Sequence, residues 1–428
     1  MQETKKLFSN SLVIFLGAII GSLFSYLFNM MMGRMLGPDQ YGEMVALMSL
    51  LVILSVGGGA IQTITTKYSS DLFHHNYMVD VAKLFKVLSR YVFWFSIGLF
   101  FIGLVLSQRI AEFFSIESIW PVILTLTSFI FGYLIVISRG ILQGTQNFVS
   151  LSGTNAIEMI LRFVLGLFFV KFGFALNGAI GAIVLATAIT YLFMFPSLQK
   201  LFKKSDNEKS NFKFNHQEII NYAWPTFLSS LLLMVAMNID IIMVKHYFLP
   251  NDAGLYAAVS TVGKIVLFLT SPIVMVMFPM IAEQKIKGYK HYKIFLFSLL
   301  ITLMGSLVVL GIYLIAPAKI LTILYGSQYT HFYYLLPEIG TVMLFYALIN
   351  LLANYFLAIK DFTFLVFFAV SCFLQIVSIA LWHPTIQIVV RLLIANFGLL
   401  FFSFMAYYLW TKRQQILSSL GFIPRLEE

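Results

Sequence analysis

Residues 33–44 read GRMLGPDQYGEM, a short polar turn set between two long apolar runs. A second stretch, KHYFLPNDAGLYAA at residues 245–258, echoes it about halfway along the chain. Sliding one onto the other by 212 positions places Pro38 on Pro250, Gly42 on Gly254 and Ala46 on Ala258, a fixed offset that marks an internal repeat. The chain reads as one half written twice.

Of the 428 residues, 60% are hydrophobic and 11% are charged, and the mean hydropathy is +0.90. That leaves too little polar surface for a soluble globule, so a membrane protein is expected throughout. The single cysteine, Cys372, lies in an apolar run and reads as packing. The net charge of +10 does not point to nucleic acid, because the Lys and Arg residues fall in short loops between apolar runs, where charge sets membrane orientation. There is no Walker loop, no pair of cysteines and no HExxH helix, so no catalytic residue, metal or cofactor is expected. GGGA at residues 57–60 lies inside a span and reads as close helix packing or a bend. His74 and His75, near Lys67 and Asp71, read as a solvated pair.

The first apolar run, residues 7–32 behind Lys5 and Lys6, exceeds the roughly 7 to 15 residues of a signal-peptide core and reads as a retained helix. Further runs cover 41–62, 87–106, 119–137, 156–170 and 174–195, then 219–244, 253–281, 295–315, 337–359, 362–382 and 386–410. Each is near the roughly 20 residues a helix needs to cross the hydrocarbon, and all are too long for barrel strands. The expected fold is an all-α polytopic membrane protein of about twelve transmembrane helices in two six-helix bundles. The bundles would occupy residues 1–199 and 218–428, with a cytoplasmic linker at 200–217. Because six is even, both halves enter the membrane the same way, which implies a pseudo-twofold axis along its normal. Placing both termini in the cytoplasm puts Lys67, Lys83, Lys86, Arg139, Lys204, Lys209, Lys213, Lys285, Lys290, Lys360, Arg425 and others inside. Arg34, Arg109, Lys171, Lys245 and Lys319 then fall outside, an asymmetry that supports both span count and direction.

Ionisable residues inside spans are the candidates for function, since a lysine at mid-membrane costs about 2.5 to 3.5 kcal/mol on insertion scales. Lys264 lies ten residues beyond Gly254, about 15 Å down a helix, on a polar stripe with Ser260, Thr261 and Ser271. It fits a cavity role or a paired, buried lysine. Glu158 and Arg162 are four residues apart, with Asn155 on the same face, and fit an internal salt bridge as well as substrate contact. Asp240, on a stripe with Thr226 and Ser230, fits a proton or cation site or, slightly better, a hydrated helix end. Arg90 reads as snorkelling. Arg391 fits the outward mouth or a headgroup anchor. Pro225, Pro272 and Pro279 predict kinks, either hinges or static curvature.

The ordered set GRMLGPDQYG, SRGILQGTQNF, LPNDAGLYAA and FLAIKDF resembles the oligosaccharide flippase, or polysaccharide transporter, family of the MOP superfamily. LQGTQNF also matches FLAIKDF at an offset of 214, close to that of the opening pair. The resemblance implies a MATE-like fold with a central cavity in a bacterial or archaeal inner membrane. It also implies alternating access and turnover of a polyprenyl-diphosphate-linked oligosaccharide for surface polysaccharide biosynthesis. The expected partners are membrane lipid, the lipid-linked glycan, and a glycan polymerase and glycosyltransferases. On that basis Lys264, Arg34 and Arg162 are expected to attract the diphosphate, with Glu158, Ser260 and Thr261 beside them. Asp240 and Glu158 are the candidates for ion coupling. Two other functions fit the composition. One is a multidrug exporter of the same superfamily, for which Glu158 and Asp240 would matter more. The other is a membrane glycan polymerase or ligase, although the longest outer loop, residues 316–336, carries little beyond Lys319, Gln328 and His331.

Overall fold

The computed structural model describes residues 2–75, 77–203, 216–289 and 291–419. Most of the expected linker, with Lys204, Lys209 and Lys213, lies outside the described residues, as do Lys290 and Arg425. The described chain is helical, with no strand among its residues. In order the helices are α1 (Gln2–His74), α2 (Met78–Phe113), α3 (Trp120–Gly144), α4 (Phe148–Phe169) and α5 (Ala175–Lys203). Then follow α6 (His216–Tyr247), α7 (Pro250–Gly263), α8 (Ile265–Ile286), α9 (Tyr292–Ile315) and α10 (Pro317–Tyr325). The last three are α11 (Leu335–Ala358), α12 (Phe364–Leu381) and α13 (Ile386–Ser419).

Among the described residues, ten apolar helical stretches are long enough to cross a membrane. Two of them, Gly17–His74 with 58 residues and Phe148–Gln199 with 52, are more than twice the roughly 20 residues of one crossing. Each is broken by a glycine in the left-handed region, Gly37 at φ 75 and Gly173 at φ 91, so each has the length and the break for two crossings, which gives about twelve spans among the described residues. The opening stretch shows why the break falls where it does. Gly37 takes a backbone conformation closed to most L residues, and Pro38 then opens the next helical segment, where its missing N–H has no partner to lose.

By internal contacts the chain forms two compact units, Met1–Met234 with Ile241–Ala258 and Leu324–Tyr329, and Val235–Asp240 with Val259–Ile323 and Thr330–Glu428. In the first, α1 packs along α3 and α4, α4 packs on α5, and α2 packs on α3. In the second, α11 is the central helix, flanked by α8, α9 and α13. Its core is aromatic, with Phe295, Tyr355 and Tyr408 all buried and in mutual ring contact.

Two stretches matched in sequence at an offset of 214 end their helices in the same way. At the end of α3 the Asn147 N–H donates to the Leu142 carbonyl (2.8 Å) and Gln146 takes φ 56. At the end of α11, 214 residues on, the Asp361 N–H donates to the Phe356 carbonyl (3.0 Å) and Lys360 takes φ 57. These are two copies of one helix-ending motif, in which the left-handed residue lets a later N–H reach back to an orphan carbonyl. The two copies of the opening motif also meet, because Gly42 and Gly254 pack against each other. A Cβ on Gly42 would lie 2.8 Å from the Gly254 Cα, and one on Gly254 would overlap the Pro38 backbone. Only glycine permits that crossing.

The kinks fall differently from the proline positions. Helix α8 continues through Pro272 and Pro279, and the interruption lies at Lys264, between α7 and α8. There the Leu267 N–H donates to the Lys264 carbonyl (3.0 Å), a tightened turn, and Gly263 is pressed against Ile339 of α11. Prolines are tolerated in membrane helices where neighbours and local turns satisfy the freed carbonyls.

Candidate functional site

Helix α3 carries glycines at positions 140 and 144, a spacing that brings two helices together backbone to backbone. A Cβ on Gly140 would lie 2.7 Å from the Thr65 Cβ, and one on Gly144 would lie 2.6 Å from the Thr66 carbonyl oxygen, so this face of α3 is pressed onto α1. Arg139 Nη2 reaches Glu158 Oε2 of α4 at 2.5 Å. Arg162, one turn along α4, donates to Glu158 Oε1 at 3.2 Å, and Thr187 of α5 donates to the same oxygen at 2.9 Å. The side chains are 17% (Arg139), 5% (Glu158) and 15% (Arg162) exposed, and the Nε atoms of both arginines are buried without a hydrogen-bond partner. Two guanidiniums therefore share one carboxylate, leaving one positive charge in excess. The group lines a cavity of about 350 Å³ together with Ser55, Gly58 and Tyr133.

The sequence reading put Arg139 in a cytoplasmic loop among the orienting cations, and the structure corrects this. Close packing of α3 on α1 draws the residue inward, where Glu158 pairs with it. Glu158 and Arg162 form the ion pair that their spacing predicts, and both also line the cavity.

A second cavity, about 680 Å³, is lined by Gly59, Gln62, Thr63, Thr66, Lys67 and Gln143. Gln62 and Thr66 donate to the Gln143 Oε1 at 3.2 and 3.3 Å, giving a face of amides and hydroxyls suited to hydrogen-bonding a polar ligand. Sequence reasoning missed these residues. Their signal is the run QTITTK at 62–67, in which Gln62, Thr63, Thr66 and Lys67 share one helical face. A smaller cavity of about 380 Å³ is lined by Ser55, Gly59 and Thr63 with Thr226 and Ser230 of α6.

The three glycines 57–59 do more than loosen α1, for each faces a different space. Gly58 lines the cavity of the arginines, Gly59 lines the two polar cavities, and Gly57 lines an apolar groove of about 740 Å³. Tyr133 stands between groove and charged cavity and belongs to the lining of both. Its hydroxyl donates to the Leu54 carbonyl at 2.9 Å and would lie 2.9 Å from a Cβ at position 57.

The remaining candidates lie elsewhere. The Lys264 Nζ donates to Asn238 Oδ1 at 3.2 Å and feels the charge of Asp240. Asp240 is 3% exposed, which replaces the expected hydrated helix end with a buried carboxylate. Ser260 is fully buried and Thr261 half-buried. Pro225 sits inside α6, which runs through it unbroken. Arg34 is at the turn: its Nε donates to the Leu324 carbonyl at the end of α10, at 2.9 Å. His246, its partner at an offset of 212, holds the Phe113 carbonyl at the end of α2 (2.8 Å) and stacks on that ring at 4.1 Å. Lys245, expected in an outer loop, is instead 1% exposed and lies 3.7 Å from Glu43. Around the same turn Tyr41 and Tyr325 join hydroxyls at 3.0 Å, and Tyr329 donates to the Gly33 carbonyl at 2.6 Å. Burial pushes the Tyr329 phenol up, so it serves as a neutral donor. Arg90 is exposed, and Arg391 lies 3.8 Å from Glu338.

Twelve crossings with charged cavities inside the span define a multi-pass membrane protein with the architecture of the MOP superfamily transporters. An inward-facing multidrug resistance MATE family transporter of that superfamily superposes with a TM-score of 0.70 at 15% identity, over 92% of this chain and 99% of that one. The lipid II flippase MurJ, in an inward closed conformation, gives 0.67 at 14% identity, over 93% and 87%. A MOP superfamily transporter from Pyrococcus furiosus, with a binding pocket of reversed polarity, gives 0.59 at 17%, over 93% and 94%. No curated protein sequence gives a significant match. The chain itself belongs to the family described as Polysaccharide biosynthesis protein, whose profile matches residues 7–285.

Proposed function

We propose that the protein is a flippase that moves a polyprenyl-diphosphate-linked oligosaccharide from the cytoplasmic to the outer leaflet by alternating access, for surface polysaccharide biosynthesis. The observation that carries this reading is the Arg139–Glu158–Arg162 group, a cavity cluster with more cation than anion inside a membrane span. A diphosphate cannot cross hydrocarbon unaccompanied, and guanidinium groups with unused N–H donors are suited to its oxygens. The adjoining face of Gln62, Thr63, Thr66 and Gln143 offers hydrogen bonds to glycan hydroxyls. The family match and the shared fold with a lipid II flippase support the same reading.

In this proposal both termini are cytoplasmic and the protein resides in the cell membrane, where an inside-negative potential drives an anion outward by about 2.3 kcal/mol per charge per 100 mV. Arg139 and Arg162 take the diphosphate. Lys264 takes a lesser part, since Asn238 and Asp240 already engage it, and Asp240 is the candidate for ion coupling. The sequence halves 1–199 and 218–428 rock against each other, with Pro225, Pro272 and Pro279 as flexing points. A glycan polymerase and glycosyltransferases supply and consume the substrate. An organic cation would meet a cavity of its own charge, which disfavours multidrug export. The test is complementation of a deletion strain with Arg139→Gln, which leaves Glu158 paired with Arg162. Surface glycan should fall and lipid-linked intermediate should accumulate at unchanged membrane abundance, and normal export would overturn the proposal.

A further inference from the structure

Three polar cavities of the first unit follow one another along α1. The cavity of Arg139 and Arg162 shares Val52 and Ser55 with that of about 380 Å³, which in turn shares Gly59 and Thr63 with that of about 680 Å³. Ser55, Gly59 and Thr63 stand on successive turns of one helix face, each step rising about 6 Å. Both hydroxyls are folded onto α1, Ser55 donating to the Val52 carbonyl at 2.8 Å and Thr63 to the Gly59 carbonyl at 3.0 Å. Each oxygen keeps a lone pair with which to accept from a ligand.

Packing does not account for a glycine at position 59. A Cβ on Gly57 would press on the Tyr133 hydroxyl at 2.9 Å and one on Gly58 would touch Val136 at 3.6 Å, whereas one on Gly59 would meet nothing within 4 Å. The backbone there is helical, so no left-handed angle calls for glycine either. Glycine inside a helix is less stable than alanine, because it gives up more conformational freedom on folding. The chain forgoes that stability where two polar cavities join, and open space is what it keeps.

We propose that Gly59 is a specificity-determining position, a neck crossed by the glycan between two polar cavities, and that its missing side chain sets how bulky the linkage after the first sugar is allowed to be. The inference rests on the flippase reading and adds to it the part of the glycan that is selected. With the diphosphate at Arg139 and Arg162, the first sugar lies against Ser55, Thr226 and Ser230, and later sugars lie against Gln62, Thr66 and Gln143. A linear glycan passes the neck, and one branched at its first linkage meets α1. A substrate of one sugar ends before the neck and is blind to position 59.

The experiment uses the full chain in phosphatidylcholine nanodiscs and two probes, a polyprenyl diphosphate carrying one N-acetylhexosamine and the same lipid carrying a linear trisaccharide. Gly59→Leu should weaken binding of the trisaccharide probe about tenfold and leave the single-sugar probe unchanged, because a side chain in the neck clashes only with what crosses it. Gly59→Ala should raise the unfolding midpoint and lower glycan export severalfold in the complemented deletion strain. Gly98→Ala, at an exposed and equally open position of α2 outside these cavities, should raise the midpoint and leave export unchanged. Gly59→Cys should react with a small anionic methanethiosulfonate and be protected by the trisaccharide probe but not by the single-sugar one, against the low background of the buried Cys372. Equal weakening of both probes, an unreactive Gly59→Cys or a lowered midpoint for Gly59→Ala would overturn the proposal. If the probes separate as expected while the deletion strain exports glycan normally, the neck stands and the flippase reading fails. If Arg139→Gln blocks export while Gly59→Leu binds both probes as before, the neck fails and the flippase reading stands.

Discussion

Two buried charge clusters invite comparison. In the first unit Arg139 and Arg162 share Glu158, the cations outnumber the carboxylate, both Nε atoms lack a partner, and the group lines a cavity. In the second unit Lys264 meets one amide, Asn238, and one carboxylate, Asp240, so cation and anion are matched. A matched pair is self-sufficient, whereas an unmatched one retains affinity for an anion. In the flippase proposal the balance of charge around an ionisable residue, rather than its place in an apolar span, marks the site.

Removing the one carboxylate should have the largest effect. Glu158→Ala leaves two buried guanidiniums without a counter-charge, which should cost about 3 to 5 kcal/mol of stability, read as a fall in the thermal unfolding midpoint of the purified protein. Asp240→Asn leaves a single ammonium still bonded to Asn238 and should cost less. Equal losses would break the comparison, because they would mean that the unmatched charge in the first unit is balanced by a group outside the cluster.

Next in size are the cation variants, which separate stability from transport. Arg139→Gln converts the first cluster into a matched pair of Arg162 and Glu158. Export should fall by about tenfold, the equivalent of roughly 1.4 kcal/mol, with the unfolding midpoint nearly unchanged. Lys264→Ala should lower export by only about threefold, on the order of 0.6 kcal/mol, and lower the midpoint, since it removes a cation near buried Asp240. Reversal of that order in a glycan export assay would return the leading role to Lys264.

Sequence alone reaches one side of this comparison better than the other. The Glu158–Arg162 pair is legible because four-residue spacing on a helix puts two side chains on one face. The Gly-Pro turn is legible because only glycine takes the backbone angle of Gly37 without strain. Arg139 is not, because a basic residue near the end of an apolar run has the composition of a loop cation until the packing of Gly140 and Gly144 on α1 is known. The break at Lys264 escapes for a similar reason. It depends on Gly263 meeting Ile339, a neighbour 76 positions away, while the two prolines that looked decisive are absorbed within α8.

The smallest effects test the repeat that ties the first unit together. Arg34 and His246 occupy equivalent positions in the two copies of the opening motif, and each holds a carbonyl at a helix end, Leu324 in one case and Phe113 in the other. Arg34→Gln and His246→Gln should each cost about 0.5 to 1.5 kcal/mol, the worth of one such hydrogen bond, read from unfolding midpoints. Arg34 lies beside the first copy of the turn and His246 beside the second, and the two copies meet where Gly42 packs on Gly254, so the double variant should lose less than the two singles added together. Strict additivity would mean that the two copies work independently and that the crossing does not depend on them. Coupling would show that a motif duplicated in sequence has become one mechanical element in the fold.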